Sequence, residues 1–133
     1  MKASITKLVL AIFVVVLTIY AVPFVIYGLA SVFGGLRPPA TASVGEFLLG
    51  VLVTKLGTAI AFVVLFNATK AVWGERWLLY ALVWFLMFAF SEVGEAISGR
   101  TTRIEAALGI LSEAIYTPLA AFVVQWLLGR SAR

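Results

Sequence analysis

The chain contains neither cysteine nor histidine. Without cysteine there is no disulfide framework, no thiolate nucleophile and no thiolate metal ligand. Without histidine there is no imidazole ligand for haem or zinc, and the commonest general base is missing. Charge is scarce as well: 12% of residues are Asp, Glu, Lys or Arg, against about 25% in a soluble domain. No Gly-rich phosphate loop or nucleophile elbow occurs, and no long polar region is present to host a soluble domain. These absences lead us to expect neither an enzyme nor a cofactor.

What the sequence has instead is apolar length. Of 133 residues, 63% are hydrophobic, and the mean hydropathy is +1.11. A soluble fold of this composition would leave much of that surface in water, which monomers rarely do. The net charge is +4, yet the basic residues stand one or two at a time between apolar runs. Membrane flanks place charge that way, whereas a nucleic-acid surface would cluster it. The expected partner is therefore the lipid bilayer, and nucleic acid is not expected.

A hydrocarbon core of about 30 Å takes about 20 apolar residues as helix. Four segments qualify, at about 5–33, 44–67, 77–97 and 104–128. The expectation is an all-α polytopic membrane protein, a four-transmembrane-helix up-down bundle forming a single domain, because short connections force successive helices to lie antiparallel. Lys2 and Lys7 precede an apolar run resembling a signal peptide, but it extends from Leu8 to Phe33. A signal core is about 7–15 residues, so a retained helix is expected, bent at Pro23. Gly34, Gly35, Pro38 and Pro39 mark the turn after it.

Lys2, Lys7, Lys70, Arg76, Arg130 and Arg133 fall on one side of this topology, and Arg37, Arg100 and Arg103 on the other. That asymmetry predicts a plasma-membrane protein with both termini cytoplasmic, and Trp73, Trp77 and Trp126 form an aromatic belt on the same side. The second and fourth segments also match without gaps. Glu46, Gly50, Leu52, Thr58, Ala61 and Val64 lie over Glu105, Gly109, Leu111, Thr117, Ala120 and Val123. A duplicated helical hairpin would place a site between its halves.

Ionisable groups inside a span cost about 2.5–3.5 kcal/mol each at the bilayer centre, so they face the bundle interior and are paired or functional. Lys55 and Glu113 lie at matched depth, about 13 Å from the outer surface at about 1.5 Å per residue. Glu92 and Glu95, in an E-x-x-E spacing, share one face at the outer end of the third segment. Glu46 and Glu105 sit at helix starts, where the dipole favours a carboxylate. The candidate binding residues are therefore Lys55, Glu92, Glu95 and Glu113. The expected arrangement is an outward-opening polar pocket, floored by Lys55 in contact with Glu113 or Glu92. Gly50, Gly57 and Ala61, with Ala106, Ala107 and Gly109, are expected to pack closely around it. The bulky run from Trp77 to Phe90 suits a lipid-facing or oligomer-facing surface, and a homo-oligomer is a possible state. Pro118 frees the carbonyl of Ala114, a further possible cation ligand.

Besides a small intramembrane enzyme using carboxylates as acid and base, which the lack of cysteine and histidine disfavours, two functions fit this pattern. One is a transporter or binding protein whose carboxylates and lysine take a proton, a small cation or a cationic solute. The other is a non-catalytic assembly or accessory subunit whose buried charges specify helix packing or partner choice.

Overall fold

The computed structural model describes residues 3–34, 36 and 43–129, and these form helices without strands. The helices are α1 (Ile5–Gly34), α2 (Val44–Trp73), α3 (Trp77–Ile97) and α4 (Arg103–Leu128). Each is long and apolar enough to cross a membrane. The all-α four-helix architecture is thus as the hydropathy requires. Lys2, Gly35, Arg37, Pro38, Pro39, Arg130 and Arg133 lie outside the described residues.

One boundary differs. α2 continues beyond Asn67 to Trp73, passing through Thr69, whose backbone (φ −116°, ψ 16°) is not helical. Asn67, Thr69 and Lys70 end the apolar run, but helical hydrogen bonding carries on until the Gly74 N–H donates to the Lys70 carbonyl at 2.8 Å. Hydropathy marks where lipid ends, not where the helix does.

The helix ends explain several residues outright. At the start of α2 the Glu46 N–H donates to Ser43 Oγ, and the Ser43 N–H donates to Glu46 Oε2. Thr102 and Glu105 repeat this capping box at the start of α4, which satisfies backbone donors that would otherwise be unpaired. α3 ends in a Schellman turn. The Arg100 N–H donates to the Glu95 carbonyl and the Gly99 N–H to that of Ala96, with Gly99 at φ +74°, a conformation that favours glycine.

α4 packs against both α1 and α3, α1 packs on α2, and α2 touches α3 and α4 only sparsely. Side-chain size accounts for this. Ala106, Ser112, Ala120 and Ala121 of α4 are buried, and small residues let backbones approach where lipid removes any hydrophobic drive to associate. Between α2 and α3 large rings intervene instead. Phe62 and Phe66 meet Tyr80 with centroids 4.8 and 5.2 Å apart, and Phe62 meets Trp84 at 5.2 Å. The run from Trp77 to Phe90 is thus not wholly a lipid surface. Tyr80 and Trp84 turn into the core, while Leu79, Val83, Met87 and Phe90 face outward.

The packed core occupies the end of the bundle where α1 begins and α4 ends, from Ala11, Val15 and Ile19 on α1 to Val124 and Leu128 on α4. Tyr80 donates its hydroxyl to the Phe62 carbonyl there, and the Gln125 amide ties α4 to the α2–α3 turn through the Gly74 carbonyl at 2.8 Å. Towards the opposite end the bundle loosens. The buried stripe of α1 stops at Ile19, one turn before Pro23, and no residue from Val44 to Thr58 of α2 is buried. A duplicated hairpin with two-fold packing would make the α1–α4 and α2–α3 interfaces equivalent. They are not, so the likeness of α2 and α4 extends to their caps but not to their packing.

Candidate functional site

The polar groups collect in the looser half, and each helix supplies at least one. α4 supplies Glu113, whose residue is 5% exposed. Its Oε2 is buried and has no hydrogen-bond partner. The adjacent hydroxyls are already engaged on backbone: Thr117 donates to the Glu113 carbonyl at 2.7 Å and Ser112 to the Leu108 carbonyl at 2.8 Å. Both bonds are the local back-bonding typical of Ser and Thr in helices, and both leave the Glu113 carboxyl unserved.

Tyr116 lies three residues on, on the same helix face, and is 1% exposed. The Lys55 ammonium of α2 donates to its hydroxyl at 3.4 Å and stands 5.0 Å from its ring centroid. This differs from the expected contact of Lys55 with a carboxylate. The direct partners of Lys55 are a hydroxyl and an aromatic face, with Glu113 and Glu92 within electrostatic range. The reason is geometric. The arm of α2 from Val44 to Thr58 packs only sparsely on α3 and α4, so Lys55 reaches the nearer Tyr116 first.

Glu92 of α3 lies flat on α4. A Cβ placed on Gly109 would be 2.7 Å from the Glu92 Cδ and 2.8 and 3.0 Å from its two oxygens. Only glycine admits the carboxylate there. Gly109 precedes Glu113 by one turn on the same face, which brings the two acids to adjacent levels of the site. α1 contributes Tyr27, whose hydroxyl donates to the Glu105 carbonyl at 2.9 Å. Tyr27 is also within electrostatic range of Glu92, Glu105 and Glu113.

Of the four candidates from the sequence, Lys55, Glu92 and Glu113 converge on this cluster. Glu95 is half-buried, as Lys55 and Glu92 are, and is within electrostatic range of Glu92, but no side-chain contact ties it to the cluster among those described. Tyr27 and Tyr116 were not anticipated. A tyrosine in an apolar helix reads as packing, and the one available signal was that Tyr116 shares a face with Glu113. The expected ring of small residues holds on α4, where Ala106 and Gly109 are buried, but Ala107 is exposed. It fails on α2: a Cβ on Gly50 or Gly57 would meet nothing within 4 Å, and Ala61 is exposed.

The groove found between α3 and α4 is elsewhere and apolar. It encloses about 240 Å³ and is lined by Leu78, Leu82, Phe85, Ala114 and Pro118 among others. The carbonyl freed by Pro118 thus belongs to a residue of this groove. Among the described residues no three His, Cys, Asp or Glu side chains are grouped as metal ligands would be. Two carboxylates beside one ammonium leave one negative charge in excess when all are ionised, in a medium where net charge is costly. In comparisons with protein-family models, curated proteins and solved structures, nothing matches this chain.

Proposed function

We propose that this chain is a small multi-pass membrane carrier or binding protein whose intramembrane carboxylates take up one positive charge, a proton or a monovalent cation. The observation that carries the reading is Glu113, a carboxyl at 5% exposure with an unpartnered buried oxygen beside a second acid and a single ammonium. Two carboxylates cannot both ionise cheaply in a desolvated site. One proton or one monovalent cation brings the cluster to neutrality, whereas a divalent ion overshoots it. The Lys and Arg asymmetry supports a plasma-membrane orientation with both termini cytoplasmic, which turns the looser half and its site to the outer face.

Potentiometric titration of the protein in lipid nanodiscs tests this reading. Between about pH 5 and about pH 9, a span centred on ordinary proton chemistry, the native chain should release about one proton more than Glu113→Gln. Superimposable curves would remove the basis for the proposal.

A second reading, an assembly subunit, is favoured by α2, whose Gly50, Gly57 and Ala61 face outward over open space and would admit another helix closely. It predicts self-association or partner capture that Gly57→Ile abolishes and Glu113→Gln leaves intact.

A further inference from the structure

The proposed site already holds an ammonium ion, the one that Lys55 carries, and how it is held specifies a ligand class. We propose that the site binds a monovalent organic ammonium, seated against the Tyr116 ring in the place the Lys55 ammonium now occupies, with Glu113 as its counter-ion. This inference rests on the reading of Glu113 as a charge-accepting site and narrows it.

Three independent features point the same way. An aromatic face is the seat for an ammonium rather than for a hydrated metal ion, and Lys55 demonstrates that seat at 5.0 Å from the ring centroid. Mg²⁺ and Ca²⁺ demand about six to eight oxygens, and no three-residue acidic group is present among the described residues. The nearby buried Glu113 Oε2 has no partner, so its carboxylate offers an uncompensated charge within electrostatic range of the seat.

Lys55 can yield the seat. It is carried on the arm of α2 from Val44 to Thr58, where Leu48, Val51, Lys55 and Thr58 are half-buried and the rest exposed. The only interhelical hydrogen bond described for that arm is its own, to Tyr116. Withdrawal of Lys55 leaves two acids without an ammonium; with one of them protonated, as a desolvated pair requires, a single incoming cation restores neutrality. Around the seat, Phe88 stands 6.2 Å from the Tyr116 ring, centroid to centroid, and Trp84 5.5 Å from Phe88. An apolar body attached to the ammonium would meet rings rather than water.

The test uses the full chain in nanodiscs and isothermal titration with benzylammonium, against neutral benzyl alcohol, K⁺ and Mg²⁺ as controls. Benzylammonium should bind at one site per chain, with at least about tenfold preference over each control. Lys55→Met should tighten binding at least about tenfold, because it removes the internal competitor and its charge. Tyr116→Leu should abolish binding. Should that variant misfold, Tyr116→Phe, which keeps the ring, should retain affinity within about threefold. Equal binding of benzyl alcohol or Mg²⁺, or weaker binding by Lys55→Met, would overturn the inference. If Glu113 exchanges a proton but benzylammonium does not bind, the ammonium assignment fails and the proton reading stands. If neither occurs, both fail.

Discussion

Glu113 and Glu92 owe their positions to two different economies of space. Glu113 is buried because α4 is lined with small residues and draws α1 and α3 close around it. Glu92 lies on α4 because Gly109 has no side chain. Gly109→Ala should therefore displace the Glu92 carboxylate, a flexible chain end, without disrupting the fold. The expected result is thermal stability changed by no more than about 1 kcal/mol with clear loss of ligand or proton binding. Unchanged binding would mean that Glu92 takes no part in the site. Lys55 makes a second residue-level prediction. Since its contact is with the Tyr116 ring, a double-mutant cycle of Lys55→Met with Tyr116→Leu should show coupling of about 0.5–2 kcal/mol. Additive losses would show that the contact carries no energy. The acids and the lysine were readable from sequence because charge in an apolar run is conspicuous. Tyr27 and Tyr116 were not, since apart from one hydroxyl each they look like the rings that fill any membrane helix.

Among the helices, α2 departs most from what its sequence suggests. It is apolar on all sides, so no periodic stripe reveals which face meets the bundle, and its glycines read as packing residues when they face outward. Gly57→Ala tests that placement. With open space at the Cβ and a glycine removed from a helix interior, the variant should be more stable by up to about 1 kcal/mol. Destabilisation would indicate that a partner helix occupies that space. The caps, in contrast, are legible as S/T-x-x-E patterns. Thr102→Ala should cost about 1 kcal/mol and should loosen the start of α4, whose Glu105 carbonyl also receives Tyr27.

At the scale of the whole molecule, hydropathy sufficed for four spans because length and apolarity are local properties. The order of packing was not readable in the same way. It depends on which pairs of faces are small and which are bulky, and this sets α4 between α1 and α3 while rings hold α2 and α3 apart. Orientation has its own test, made simple by the absence of native cysteine. A cysteine introduced at Ser98 should react with an impermeant reagent in intact cells, and one at Ser4 should be protected. The reverse pattern would invert the topology. The central claim, however, is that Glu113 is an exchangeable acid inside the bundle. Infrared difference spectroscopy of the protein in nanodiscs, between about pH 5 and about pH 9, measures it directly. The account predicts a carboxylic-acid band that titrates in this range and disappears in Glu113→Gln. Absence of any titrating buried carboxyl, in a chain that remains folded, would contradict it and leave Glu113 a structural residue.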